Sequence, residues 1–116
     1  MTTPQLALAV ITCFLLLVAA LSKVTGRQAM HDMAEHFGIP WPQYRALGFL
    51  ELAAVVGIAL GLWWTWAGVA AGAGTVALLV GAVVFHVRAR DPLPAMGPAL
   101  ATLAAAAGYV VATVVR

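Results

Sequence analysis

Four long apolar runs, separated by one long and two short polar breaks, make up most of this chain. They cover about residues 4–22, 44–62, 66–87 and 95–115, and each has the roughly 17 to 25 residues that a helix needs to cross a bilayer. In hydrocarbon the backbone must satisfy its own hydrogen bonds, so such runs are read as α-helices rather than strands. The predicted fold class is all-α: a transmembrane four-helix bundle forming one domain over residues 1–116. The short breaks at Trp63-Trp64-Thr65-Trp66 and at Arg88 to Pro94 require antiparallel neighbours. The long break contains GRQAMHDMAEHFG, where Met30, Met33, Ala34 and Phe37 fall at helical spacing and Gly38 and Pro40 end the pattern. This predicts a short interfacial helix between the first two spans. The tryptophan corner predicts an aromatic anchor at one membrane surface.

Composition confirms the membrane class, with 64% hydrophobic and only 9% charged residues against about 25% charged in soluble chains, and a mean hydropathy of +1.00. The net charge of +2 comes from six basic residues scattered over the breaks, which form no patch able to grip phosphates, so nucleic acid is excluded as a partner. The first run lacks a positive leading segment and exceeds the roughly 7 to 15 residues of a signal-peptide core, so it is read as a retained span. Cys13, the only cysteine, has no second thiol for a disulfide or a zinc site and is read as a packing residue.

Small residues recur where helices would touch: Gly57 and Gly61, Gly68 and Gly72, and Ala104 and Gly108. Such spacing lets transmembrane backbones approach closely. Lys23, Arg27, Arg45, Arg88 and Arg90 lie in or beside the first and third connections, with only Arg116 opposite. The positive-inside rule then places both connections in the cytoplasm and makes this a multi-pass protein of the cell membrane, read as the bacterial inner membrane.

Glu51 is the one carboxylate inside an apolar run, a placement that costs roughly 2.5 to 3.5 kcal/mol on insertion scales and therefore calls for a partner. Lys23, Glu51, His86 and Arg88 fall at the same membrane face by topology, with Glu51 roughly 10 Å inside its helix. One reading is an ion pair that fixes helix register. The other is a polar pocket in which Glu51 raises the basicity of His86 while Lys23 and Arg88 hold an anionic or carbonyl group. Trp41 and Tyr44 stand at its mouth, where they suit an aromatic ring or simple interface anchoring. His31 with Glu35, and Asp32 with His36, are two-residue sets that do not meet a metal's need for four ligands, so no metal site is predicted. No phosphate loop, nucleophile elbow or haem pattern is present, and quinones need no motif.

The segments ALSKVTG, EHFGIPWPQYRALGFLELAAVVGIALGL and GAVVFHVRARDP, in this order and spacing, resemble the DoxX-like family of small four-helix bacterial membrane proteins. The resemblance independently marks Lys23, Gly48, Glu51, His86 and Arg88. It implies a link to membrane subunits of quinone- or thiol-linked redox complexes, while distant relatives look like assembly chaperones and cargo receptors. Where the family pattern carries a glycine shortly before the lysine, this chain has Ala19-Ala20-Leu21. The expected function is a membrane component whose polar pocket supports a membrane-associated oxidoreductase, with a quinone as the candidate cofactor. The alternative is a non-catalytic scaffold or chaperone that recognises a partner's transmembrane helix. Whether the chain is itself an enzyme or forms a homo-oligomer is left open by the residues.

Overall fold

A computed structural model describes residues 1–115. Helix α1 (Thr3–Val24), α2 (Gln28–Phe37), α3 (Trp41–Leu60) and α4 (Thr65–Arg88) are followed by a 3₁₀ turn (Leu93–Met96) and α5 (Gly97–Val114). Among the described residues there is no strand. The spans Thr3–Val24, Trp41–Leu60, Thr65–Arg88 and Leu93–Val114 are long and apolar enough to cross a membrane. The chain is therefore an integral membrane four-helix bundle, and α2 is the short helix expected between the first two spans.

Helix ends follow from local chemistry. Thr2 caps α1 in a reciprocal box with Gln5, whose side chain accepts from the Thr2 N–H at 2.6 Å. Gly38 closes α2 in the left-handed conformation, φ 70°. Helix α3 begins three residues earlier than the apolar pattern suggested, because Pro42 sits in its first turn, where the missing N–H costs nothing. The fourth span begins as a 3₁₀ turn in which Pro92 is the N-cap and Pro94 lies in the first turn. Pro98, one turn on, has no N–H to give the Pro94 carbonyl, which takes the Gly97 N–H in a 3₁₀ bond instead.

The four long helices form a ring in the order α1, α3, α4, α5, with α5 closing back on α1. Chain direction makes every neighbouring pair antiparallel. Leu16, Ile58, Tyr109 and Ala9 form the core. Small residues set the approach distances: a Cβ on Gly57 would lie 2.6 Å from that of Ala71, and one on Gly61 would lie 2.9 Å from the Gly68 Cα. Gly72 and Gly108 likewise face Val110 and Leu8. Ala104 differs from expectation: it is exposed, and the buried alanines of α5 are Ala105 and Ala106, because that face of the helix is one position further round. Arg116, the single opposing charge in the orientation argument, lies outside the described residues.

Several polar side chains inside the bundle bond backbone carbonyls, while the buried Tyr109 hydroxyl has no hydrogen-bond partner among the described residues. Gln5, wholly buried, donates to the Ala112 carbonyl at 3.1 Å, joining the start of α1 to the last turn of α5. The hydroxyls of Thr12, Thr75, Thr102 and Thr113 donate to the carbonyls four residues earlier. Cys13 is half-buried beside this core, with Sγ 3.9 Å from the Val55 carbonyl oxygen.

Candidate functional site

Tyr44, Gly48 and Glu51 follow one another at helical spacing, and α3 buries all three on one stripe. Gly48 is the crossing point with α1: a Cβ there would meet Lys23 Cβ at 2.8 Å and the Ala20 carbonyl oxygen at 3.1 Å. The close approach in this pair thus depends on a glycine of α3, and Ala20, fully buried, supplies the opposing backbone. This answers the question raised by Ala19-Ala20-Leu21. With the helices this close, Lys23 Nζ reaches Glu51 Oε1 at 2.9 Å. The contact is an ion pair whose angles fall outside hydrogen-bond geometry, since the same oxygen has no directed donor among the described residues. Lys23 Nζ also lies 5.5 Å from the centre of the Tyr44 ring, within cation–π reach.

Lys23, Tyr44 and Glu51 line one wall of a cavity of about 490 Å³. Leu79 and His86 of α4, Thr102 of α5, and Met30, Met33 and Phe37 of α2 complete it. The interfacial helix therefore roofs the space between the four spans. Its volume is within the range of small-molecule sites, and a mostly apolar lining with few polar groups is the usual form of one.

His86 shares this cavity but does not take Glu51 as its carboxylate partner. Its Nδ1 stands 2.7 Å from Oδ2 of Asp91, and the other oxygen of Asp91 is 2.7 Å from Nε2 of His36 on α2. Asp91 was not among the residues expected from the sequence. It becomes available through the end of α4, where Arg90 adopts the left-handed region (φ 59°), Asp91 N–H bonds the His86 carbonyl and Arg90 N–H bonds the Val87 carbonyl. This is a Schellman ending with arginine where glycine is usual. Arg90→Gly is therefore expected to raise the thermal midpoint modestly, by the equivalent of up to ~1 kcal/mol; a lower midpoint would show that the arginine side chain offsets its own strain.

The hydrogen bonds from His86 and His36 hold the Asp91 carboxyl below the ordinary aspartate range. A carboxyl whose pKa is lower in the folded than in the unfolded protein stabilises the fold above its unfolded pKa and loses that contribution as pH falls through the folded value. The protection factors of the α2 amides, exchange rates taken relative to an unstructured chain at the same pH, are thus expected to stay constant from neutral pH down to roughly pH 4 and to fall below it. Asp91→Asn should remove the acid step; an unchanged profile would contradict the role of Asp91 in anchoring α2.

Of the remaining expected residues, Trp41 stacks on His31 with ring centroids 3.6 Å apart and so anchors α2 rather than lining the cavity. Phe37 meets His86 edge-on at 5.0 Å. Arg88 is exposed and stands away from the cavity wall, because it is two residues beyond His86 and points to a different face. Among the described residues no cluster of His, Cys, Asp or Glu could hold a metal ion.

A search of curated proteins and a search of solved structures both return no match. The family model described as the DoxX-like family matches residues 7–112, a stretch that runs from the second turn of α1 into the last turn of α5 and contains the interfacial helix and every residue of the site. The chain belongs to the DoxX-like family.

Proposed function

We propose that this protein is a membrane subunit that holds a small amphipathic ligand of the quinone type in the cavity beneath α2 and so supports a membrane-associated redox partner. The observation that carries this reading is the buried Lys23–Glu51 pair on the wall of a partly open pocket lined by residues of all five helices. The pair places a cation and an anion where most of the wall is apolar. Lys23 can donate to a carbonyl or anionic oxygen of a ligand, while Glu51 keeps that ammonium inside the bundle instead of letting it snorkel to the surface. His86 adds an imidazole, the side chain that exchanges protons most readily near neutral pH. The lone thiol leaves a thiol-linked role to the partner, because dithiol exchange needs a resolving cysteine.

The test uses purified protein in detergent with 1,4-naphthoquinone as the probe. Wild-type protein should be stabilised as the probe rises above its Kd, as expected for a ligand that binds only the folded state. Glu51→Gln should keep the fold and lose that stabilisation. Equal stabilisation of both proteins would remove the ion pair from the binding site.

The second reading, a scaffold that recognises a partner's transmembrane helix, is favoured by a shallow groove of about 540 Å³ on the lipid-facing side of α3 and α4, lined by Ala53, Ala54, Ala71, Gly74 and Ala77. Small residues of this kind allow helices to pack closely. Crosslinking in native membranes from Gly74→Cys, in a Cys13→Ala background, separates the two readings: a discrete protein adduct supports the scaffold and lipid-only labelling supports the ligand carrier.

The proposed orientation puts the α1–α3 and α4–α5 connections in the cytoplasm, on the strength of Arg27, Arg45, Arg88 and Arg90 at that end. In the same Cys13→Ala background, Arg27→Cys should resist a membrane-impermeant thiol reagent in intact cells while Trp63→Cys reacts. The reverse pattern would invert the topology.

A further inference from the structure

The arrangement around His86 fixes more than its position. An aspartate is ionised near neutral pH, the two oxygens of Asp91 each lie 2.7 Å from an imidazole nitrogen, and an ionised carboxylate can only accept hydrogen bonds. Both ring nitrogens that approach it must therefore carry protons. For His86 that nitrogen is Nδ1, at 2.7 Å. The ring is buried, it lines the cavity, and its Nε2 has no partner among the described residues. A neutral imidazole with its proton on Nδ1 presents a bare acceptor at Nε2. A carboxylate bonded to the far nitrogen of a histidine selects its tautomer in this way in metal sites and hydrolases. His36 on the other oxygen of Asp91 holds the carboxylate in place from α2.

We propose that Asp91 is the positioning residue that fixes His86 with its proton on Nδ1, so that the free Nε2 selects a cavity ligand presenting a hydroxyl donor. This rests on the reading that the cavity binds a ligand, and it gives that ligand a chemical class: an apolar, aromatic-sized body with an O–H at the His86 end. Lys23, on another wall of the same cavity, supplies a donor for an oxygen acceptor on the ligand. A phenol or the hydroxyl form of a quinone satisfies both, whereas an ether or a plain carbonyl at the His86 end leaves Nε2 facing a lone pair. A site built to hydrogen-bond a hydroxyl discriminates against analogues that lack it, because its buried polar atom is left unpaired.

The experiment has two arms. In protein labelled with ¹⁵N-histidine, long-range ¹H–¹⁵N spectra should show His86 neutral with the proton on Nδ1; a proton on Nε2 would overturn the proposal while leaving the cavity reading intact. In the second arm, affinities for 1-naphthol and 1-methoxynaphthalene are compared in wild type and Asp91→Ala. The naphthol-to-ether ratio should fall roughly tenfold in the variant, the size of one net hydrogen bond. An equal loss of affinity for both probes would show that Asp91 acts only on structure and would overturn the proposal. Binding of neither probe to wild-type protein would overturn the cavity reading, and this proposal with it. The spectral arm needs no variant, so it stands even if Asp91→Ala fails to fold.

Discussion

Lys23→Met is expected to destabilise the bundle by ~3–5 kcal/mol, the usual result of removing one member of a buried ion pair. Glu51 is only 5% exposed and pairs with no other cation among the described residues, so the substitution leaves a carboxyl in apolar surroundings without a counter-charge. Glu51→Gln should cost less. Its amide can still hydrogen-bond, and the four-carbon stem of Lys23 lets the ammonium move toward the surface. The double variant Lys23→Met/Glu51→Leu should recover most of the loss, since apolar replacement of a whole buried pair is often neutral or stabilising. Thermal melts of wild type, Lys23→Met, Glu51→Leu and the double variant in detergent form a double-mutant cycle. Additive effects of the two single substitutions would mean that the pair is not coupled. The cycle also separates structure from function, because a stable Lys23→Met/Glu51→Leu protein that no longer binds a ligand would mark the pair as part of the site.

Gly68→Val is the second large effect. A Cβ at Gly68 would overlap the Tyr109 hydroxyl and stand 3.0 Å from the Gly61 Cα. Tyr109 is completely buried at the centre of the core, and Gly61 is backbone on the neighbouring helix, so neither can move without separating α3, α4 and α5. Overpacking of this kind costs typically 1–3 kcal/mol and occasionally more; the rigid opposing backbone puts Gly68→Val at or above the upper end. Gly74→Ala provides the contrast on the same helix. Nothing lies within 4 Å of a Cβ there, so the substitution should be neutral or gain the roughly 0.5–1 kcal/mol by which alanine exceeds glycine in a helix. Equal melting temperatures for Gly68→Val and Gly74→Ala would contradict the packing described for the α3–α4 corner.

The fold was legible in the sequence because a bilayer imposes strong rules. Four runs of spanning length could only be helices, short connections fixed their antiparallel order, and Gly38 marked the end of α2. Topology put Lys23 and Glu51 at one depth and the family resemblance marked Gly48, but only the structure shows that Gly48 is where α3 crosses α1. What could not be read was the partner of His86. Asp91 looked like an ordinary connecting residue before Pro92, and it reaches the histidine only because Arg90 takes a left-handed conformation that the sequence does not announce; glycine would have been a signal, arginine is not. Arg88 was grouped with the site by depth and by the family resemblance, neither of which specifies which face of α4 its side chain leaves from. Ala104 failed for the same reason: the periodicity of an alanine-rich helix gives a stripe without a sharp edge, so the buried pair Ala105 and Ala106 could not be told from its neighbours.

The relation between α2 and the spans carries the functional account. A short amphipathic helix held by the His31–Trp41 stack and the His36–Asp91 bond covers a space that the four spans alone would leave open. Met30 and Met33 give that roof adaptable apolar contacts, suited to ligands that share a ring size and differ in their substituents.

Native mass spectrometry of the protein extracted from its own membranes tests the central claim most directly, comparing wild type with Ala82→Phe, whose added ring would fill the cavity that Ala82 lines. The account predicts a single small-molecule adduct on the wild-type chain, released on activation and absent from an otherwise folded Ala82→Phe protein. The same adduct on both chains, or none on either, would contradict it.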